Sequence, residues 1–293
     1  MAKKILELLV AIGGAVGMVL SVNNHNAADA SRITTIHYQT TYRGQQYNKQ
    51  ALVYLPNMYD TRQRHNVVYL LHGSTESERD FFQDGHFKRV LDRLNNSGQL
   101  RNTIVVFPTY YPSRRFVTSD YHRDNRLNRA FAQTELVNDL IPAVEGHYHT
   151  YATGAGKTQL RASRNHRAFG GFSMGGITSW YVFEYQLPYF STIIPMAGDS
   201  WTIEDDGGAS VSRQTARRLA QSAQQHPNQA FKILAGVGGT DGTYGSMTPQ
   251  INAMWKLPEF NHGNLQYYRV PDGTHSPQTI ARIFKHYAGQ IFN

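Results

Sequence analysis

One short segment constrains the fold of this chain more than any other: residues 167–180, which read RAFGGFSMGGITSW. Within it, residues 171–175 form the pattern G-x-S-x-G around Ser173. A β-prone apolar run precedes the serine and a helical pattern follows it, so the serine stands at a sharp strand-to-helix turn. Glycines suit such a turn because a Cβ there would clash with the neighbouring strand or helix. The segment predicts that Ser173 is a nucleophile. The alternative is a glycine-rich helix start whose serine has no chemical role.

The rest of the chain alternates between strand-like and helix-like segments. Short runs rich in β-branched and aromatic residues predict strands at 50–55, 66–72, 103–108, 167–172, 191–198, 231–238 and 265–271. Apolar patterns of helical period predict helices at 87–97, 129–148, 175–187, 212–226 and 277–292. Several strand runs are apolar throughout, as in parallel sheets that are buried on both faces. We therefore expect an α/β fold, with a mostly parallel central sheet and helices on both faces, in one domain over residues 31–293.

A nucleophilic serine needs a histidine base, and the base needs an orienting carboxylate. In sheets of this kind the order along the chain is serine, acid, histidine. Asp241 follows a predicted strand in a glycine-rich loop, and His275 follows the last predicted strand. Both therefore belong to the edge at which open α/β sheets bind their ligands. We predict Asp241 as the acid and His275 as the base; the competing choices are Asp272 and His262.

The tetrahedral intermediate on such a serine needs two N–H donors for its oxyanion. One should be the backbone N–H of Met174, the residue after the nucleophile. The other should come from the loop after an early strand, where His72 and Gly73 precede Ser74 and Thr75. We predict Ser74 or Thr75 as this second donor. We predict that His72 lies beside the substrate. The alternative is a structural histidine that supports the loop.

The first thirty residues have the three parts of a secretory signal peptide: a charged start, an apolar run and a polar tail ending at Ala28-Asp29-Ala30. We predict a signal peptide at 1–30 and a secreted protein without stable membrane insertion; the alternative is a retained anchor. The chain of 293 residues has no cysteine, and 29 Lys and Arg against 21 Asp and Glu give a formal net charge of +8. That charge is compatible with adhesion to anionic cell-wall polymers, or simply with a soluble basic protein.

Two motif-like features lack the residues that their usual functions require. Residues 151–159, YATGAGKTQ, have tyrosine where a phosphate loop needs its first glycine. The 13 histidines show no ligand spacing that predicts a metal site. The basic residues are scattered and form no nucleic-acid-binding motif. We therefore expect no cofactor, no metal and no nucleic-acid partner.

Four longer motifs extend across the second half of the chain: FGGFSMGG (169–176), PMAGDSW (195–201), GSMTPQINAM (245–254) and GTHSPQTIARIFKHY (273–287). Together they resemble the esterase family that includes the feruloyl esterase modules of xylan-degrading enzymes. The resemblance runs from about residue 48 to the end of the chain. It implies the α/β-hydrolase fold, a triad of Ser173, Asp241 and His275, and a substrate site that includes Asp199 and Trp201.

The chain departs from that family at two places that border the acyl pocket. Relatives often have a glycine-rich loop after His-Gly, whereas this chain has Ser74-Thr75-Glu76. An aromatic pair is common after the histidine, whereas this chain has Ser276-Pro277. The resemblance therefore does not define the acyl preference. Trp201 has two interpretations, a stacking platform for an aromatic acyl group or a core tryptophan.

These features predict a secreted serine esterase that forms an acyl-enzyme on feruloyl, other hydroxycinnamoyl or small acyl esters of carbohydrates. Its partner would be a small-molecule or polysaccharide ester. Activity should fall on acidification, as the histidine base takes up a proton. The alternatives are an acyltransferase with a sugar acceptor and a non-catalytic polysaccharide-binding relative. The presence of all three triad residues argues against the second alternative.

Overall fold

The computed structural model describes residues 30–293 of the chain. The predicted signal peptide, apart from Ala30, lies outside the described residues. Within the described part, no helix combines the length and the apolar character that crossing a membrane requires.

Between residues 30 and 293, eight strands form one sheet in the order β1-β2-β4-β3-β5-β6-β7-β8. They are β1 (Arg32–Tyr42), β2 (Gln45–Leu55), β3 (Asn66–Leu71), β4 (Thr103–Phe107), β5 (Arg167–Phe172), β6 (Thr192–Met196), β7 (Lys232–Gly238) and β8 (Leu265–Val270). The neighbours from β4 across to β8 are parallel. The pairs β1–β2 and β2–β4 are antiparallel. The carboxyl ends of the parallel strands therefore meet at one edge, where the predicted site residues follow them.

Every predicted strand is present, whereas β1 was not predicted. In this strand Ile36, Tyr38 and Thr40 are buried, and the residues between them are exposed. That two-residue period is typical of a half-buried edge strand, but few of its residues are apolar, so the signal is weak. A two-residue turn joins β1 to β2 through Arg43 and Gly44, whose φ angles of 51° and 78° suit a type I′ hairpin.

Eleven helical segments of the described residues surround the sheet, one of them π-helical, together with short 3₁₀ turns. They are α1 (Glu78–Asp84), α2 (Phe87–Asn96), α3 (Asn125–Ala130), a π-helical segment (Phe131–Leu140), α4 (Ile141–His147), α5 (Lys157–Ala162), α6 (Met174–Gln186), α7 (Gly207–Ser210), α8 (Ser212–Gln224), α9 (Tyr244–Met254) and α10 (Pro277–Tyr287). The 3₁₀ turns relevant to the site are Arg114–Phe116 and Tyr121–Asp124.

Helices cover both faces of the sheet. On one face α6 packs against α3, the π-helical segment and α8, and on the other α1, α2 and α10 pack together. Each predicted helix is present, so the structure confirms the predicted α/β architecture. Four helices were not predicted: the short α1, α5 and α7, and the longer α9, which has Pro249 inside it. A proline in a helix interior removes a backbone hydrogen bond, so its presence weighs against predicting a helix.

Candidate active site

Ser173 occupies the turn between β5 and α6 that the G-x-S-x-G pattern predicts. Its backbone has φ 54° and ψ −114°, a conformation that non-glycine residues rarely adopt. A Cβ on Gly171 would lie 2.5 Å from the backbone of Gly175, and a Cβ on Gly175 would lie 2.3 Å from the carbonyl oxygen of Leu71. The glycines are therefore required because α6 begins in direct contact with β3 and β5.

The structure brings Ser173, His275 and Asp241 together in one hydrogen-bonded chain. The Nδ1–H of His275 donates to both carboxylate oxygens of Asp241, each 2.9 Å away. Nε2 is thereby left to accept the hydroxyl proton of Ser173, at an oxygen–nitrogen distance of 2.9 Å. The histidine side chain is 40% exposed and the Asp241 side chain is fully buried. This arrangement can move a proton from the serine to a histidine held in one tautomer.

The environment of Asp241 favours its charged form. Burial alone would raise the pKa of this carboxyl, but the hydrogen bond from His275 and the histidine's charge outweigh it. Thr243 adds two further donors, its backbone N–H at 2.8 Å and its hydroxyl at 2.7 Å. The net pKa of Asp241 therefore lies below its usual value.

The two competing residues from the sequence analysis lie elsewhere. Asp272 is exposed and pairs with Arg282 at 2.8 Å. The ring of His262 packs against Trp255, with 4.6 Å between the ring centroids. Neither contacts the serine, so the geometry favours Asp241 and His275 over both.

The loop after β3 places Ser74 and Thr75 on the wall of the same cleft as Met174. Thr75 has φ 65°, in the left-handed region. Its backbone N–H donates to the Tyr111 hydroxyl at 2.9 Å, and the N–H of Gly73 donates to a Glu76 carboxylate oxygen at 2.8 Å. Ser74, between them, has its backbone N–H left for another acceptor.

A buried carboxylate that was not predicted supports this loop. Asp124 is 0% exposed. One of its oxygens accepts hydroxyl donors from Ser74 at 2.8 Å, Tyr110 at 2.8 Å and Tyr111 at 2.7 Å. Asp124 lies in a polar segment, YHRDNR, whose composition is typical of an exposed turn, so no local signal marks its burial.

His72 lies under the loop and does not line the cleft, which corrects its predicted place beside the substrate. Its side chain is 0% exposed. Its Nδ1–H donates to the Gly73 carbonyl at 2.6 Å, and its Nε2 accepts the Thr109 hydroxyl at 2.7 Å. Burial lowers the pKa of His72 to about 4, so the ring is neutral near pH 7. Both ring nitrogens have hydrogen-bond partners within the protein. His72 therefore supports the loop, which was the alternative prediction.

Glu76 lies at the cleft wall, and its carboxyl has an unusual pKa. Burial raises the pKa of this carboxyl to about 7, although the N–H of Gly73 opposes the change. Glu76 stands where relatives often have a glycine-rich loop. This difference was the only feature of the sequence that could have pointed to Glu76. Near neutral pH, Glu76 is therefore divided between its protonated and ionised forms.

The serine opens onto a cleft of about 680 Å³. Asp199 and Trp201 both line it, although each is only 2% exposed. Trp201 stacks on His122, and its indole N–H donates to Asp199 at 3.3 Å. Trp201 is therefore better described as a core tryptophan than as an exposed stacking platform for an acyl group. Tyr121, which is 45% exposed, is the accessible aromatic residue at the cleft and was not predicted.

Comparison with known proteins identifies relatives along most of the chain. The Esterase family model matches residues 40–278. Endo-1,4-beta-xylanase Y of Acetivibrio thermocellus is 34% identical over 242 residues, which are 80% of this chain and 21% of that protein. The chain therefore spans about a fifth of the length of this curated relative.

Solved structures agree with this relationship. A feruloyl esterase module from Clostridium thermocellum, in complex with sinapinate, is 32% identical with a TM-score of 0.77, over 90% of this chain and 89% of that one. An S-formylglutathione hydrolase of Staphylococcus aureus is 15% identical with a TM-score of 0.62, over 90% of this chain and 98% of that one, a similarity of fold alone. The predicted α/β-hydrolase fold and the resemblance to feruloyl esterase modules are both confirmed. The chain belongs to the esterase family.

Proposed function

We propose that the protein is a secreted feruloyl esterase that cleaves hydroxycinnamoyl esters of carbohydrates through Ser173, His275 and Asp241. The observation that carries this proposal is the hydrogen-bonded chain from Ser173 through His275 to a buried Asp241, inside a cleft of about 680 Å³. The similarity to a feruloyl esterase module that binds sinapinate supports the aromatic acyl group.

In this mechanism the Ser173 oxygen attacks the ester carbonyl carbon while its proton passes to Nε2 of His275, 2.9 Å away. Asp241 holds the Nδ1 proton and stabilises the charged imidazole. His275 then donates its new proton to the departing alcohol oxygen as the carbon–oxygen bond breaks. A water molecule then attacks the acyl carbon as His275 takes its proton. The bond from that carbon to the Ser173 oxygen breaks, His275 returns the proton to this oxygen, and the free acid leaves.

Two backbone N–H groups would hold the oxyanion. Met174 is the first residue of α6, so its N–H has no acceptor within the helix. The N–H groups of Gly73 and Thr75 already have acceptors, which favours Ser74 as the second donor. This choice narrows the pair left open by the sequence. Removing one such donor typically costs about 10²–10³ in rate.

The walls of the cleft suit an aromatic acyl group. Phe172 and Tyr121 line it beside the serine, and Trp201 forms part of the same wall. Flat aromatic groups pack well on such side chains. We place the hydroxycinnamoyl group against Tyr121, the accessible ring of this wall, with the carbohydrate toward the open side of the cleft.

Secretion is part of the proposal and is based on the first thirty residues, whose charged, apolar and polar parts are typical of a signal peptide. A substrate on plant polysaccharide agrees with such a location, because polymers of that size do not enter cells.

The experiment compares Ser31–Asn293 with its Ser173→Ala variant on methyl ferulate and on p-nitrophenyl acetate. Loss of the hydroxyl should lower turnover by about 10⁴–10⁶. Ser119→Ala is the matched control, because Ser119 lines the same cleft and is exposed; its turnover should stay within about threefold of the parent.

Equal turnover in the parent and in Ser173→Ala would refute the mechanism. Acetate turnover without ferulate turnover would keep the mechanism and refute the aromatic acyl group. Acyl-sugar products that form in the presence of added xylo-oligosaccharide would establish the acyltransferase alternative instead of hydrolysis.

A further inference from the structure

A second concave surface lies beside the ester cleft. It is a groove of about 390 Å³, and its lining includes Arg43, Arg115, Arg123 and Arg126. These arginines come from the β1–β2 turn, the 3₁₀ turn Arg114–Phe116, the 3₁₀ turn Tyr121–Asp124 and α3. No aspartate or glutamate is among the described residues that line it. We call this surface the arginine groove.

The arginines of the groove carry unneutralised charge. All four are exposed. Among residues 30–293 the ion pairs involve other basic residues, such as Arg282 with Asp272 and Arg62 with Asp60. Guanidinium groups that lie close together without carboxylates create a positive electrostatic potential. An anionic ligand that binds there reduces the repulsion between them.

The lining of the groove also contains aromatic rings. Tyr42 and Phe116 line it, and they are half-buried. Their rings meet edge to face at 5.7 Å, and Tyr47 supports Phe116 at 5.9 Å. A sugar ring packs its C–H face on an aromatic side chain, while a guanidinium binds a carboxylate through two parallel hydrogen bonds. Rings and guanidinium groups together fit a sugar that carries a carboxylate.

The arginine groove and the ester cleft share one chain segment. Ser119 and Tyr121 line the cleft, whereas residues 115–118 and Arg123 line the groove. The cleft itself contains four acidic residues, Glu76, Asp199, Asp206 and Asp241, and no Lys or Arg among its described lining. Anionic sugars are therefore attracted to the groove and not to the cleft. A polymer held in the groove would present a nearby uncharged ester to Ser173.

We propose that the arginine groove binds an anionic polysaccharide through the carboxylates of its uronic acid residues. The proposal adds a polymer-binding site to the proposed esterase. Binding at the groove does not depend on ester hydrolysis, so the two proposals can fail separately.

The test measures the Kd of polygalacturonate by calorimetry for the parent protein and for the combined variant Arg115→Gln, Arg123→Gln and Arg126→Gln. The parent should bind, and binding should weaken between about 0.05 M and about 0.2 M salt as the charges are screened. The variant should bind at least about tenfold more weakly. Its hydrolysis of p-nitrophenyl acetate should be unchanged, which also shows that it is folded.

The matched control removes three exposed arginines away from the groove, through Arg79→Gln, Arg89→Gln and Arg93→Gln. This variant has the same net charge as the groove variant and should bind like the parent. An equal loss in both variants would show that only net charge matters and would overturn the proposal.

Three further results would also overturn it: no binding by the parent, equally tight binding of neutral arabinoxylan, or tighter binding of polyphosphate than of polygalacturonate. Loss of polymer binding with intact ester hydrolysis would leave the proposed function standing. A parent protein that binds the polymer but hydrolyses no ester would refute the proposed function alone.

Discussion

Glu76→Gln should stabilise the protein at about pH 8 and leave its stability near pH 4 almost unchanged. Burial raises the pKa of Glu76 from 4.5 to about 7. An acid whose pKa is raised by folding contributes most to stability when it is protonated, and that contribution is lost as the pH rises through the folded pKa. A change from 4.5 to about 7 corresponds to about 3 kcal/mol at full ionisation, an upper limit because the side chain is partly exposed. Glutamine still accepts the Gly73 N–H and cannot ionise.

His72 responds to pH in the opposite direction. Burial lowers its pKa from 6.5 to about 4, so the folded protein binds this proton less readily than the unfolded chain does. Its contribution is complete above the unfolded pKa of about 6.5 and is lost as the pH falls toward about 4, again by up to about 3 kcal/mol. In the parent protein the two residues nearly offset each other between about pH 4.5 and 6.5. Glu76→Gln should remove that compensation, so stability should fall steeply on acidification.

Urea unfolding of both proteins at about pH 4, 5.5, 7 and 8 measures the effect. Asp120→Asn is the control, since it removes an exposed acid whose side chain does not cap the 3₁₀ turn that follows it; its free energy of unfolding should stay within about 0.5 kcal/mol of the parent at every pH. If Glu76→Gln changes the free energy of unfolding equally at both ends of the pH range, the reasoning is refuted, because a contact effect does not titrate.

Three further substitutions test the site and the turn. Asp241→Asn should lower kcat by about 10³–10⁴, because an amide does not hold the required histidine tautomer; steady-state kinetics on p-nitrophenyl acetate checks this, and an unchanged kcat would exclude Asp241 as the acid. Asp124→Asn should destabilise the fold by about 2–4 kcal/mol in urea unfolding, because three hydroxyls lose a charged acceptor. It should also lower kcat at unchanged KM as Ser74 shifts, whereas a change in KM alone would contradict a positioning role. Gly175→Ala should prevent folding or cost more than about 4 kcal/mol, because its Cβ would lie 2.3 Å from Leu71. Gly245→Ala, whose Cβ would meet nothing within 4 Å, should be tolerated, and similar losses in the two alanine variants would count against this steric account.

The clustering of Ser173, Asp241 and His275 could be predicted because each follows a strand of one parallel sheet, and parallel strands end at one edge. The strands β5 and β7 are buried along nearly their whole length, so their apolar runs are unambiguous. The edge strand β1 and the proline-containing α9 were missed for a different reason. Both depend on tertiary partners that a local sequence pattern does not reveal. The strand β1 pairs with β2, and α9 packs against α7 and α8.

The surroundings of the site could be predicted less well than its centre. Asp124 and Glu76 are acids in polar segments, and composition alone suggests that both are solvated. Their burial depends on side chains distant in sequence, Tyr110 and Tyr111 for Asp124 and the loop after β3 for Glu76. The same limit applies to His72. Its place after a buried strand is compatible with a position in the cleft or under the loop, and only its contact with Thr109, distant in sequence, distinguishes the two.

The loop after β3 shows how this chain manages without the glycines that relatives often have there. Thr75 takes φ 65°, a conformation that costs a non-glycine residue about 1 kcal/mol or more. Three buried or half-buried side chains hold the loop in that conformation. His72 binds the Gly73 carbonyl, Glu76 binds the Gly73 N–H, and Tyr111 binds the Thr75 N–H. None of these three bonds uses the Ser74 N–H, which we propose as the second oxyanion donor. In the mechanism we propose, a flexible loop would have to be ordered when the oxyanion forms, whereas these three hydrogen bonds already order this one. Its strain would then serve the preorganisation on which oxyanion stabilisation depends.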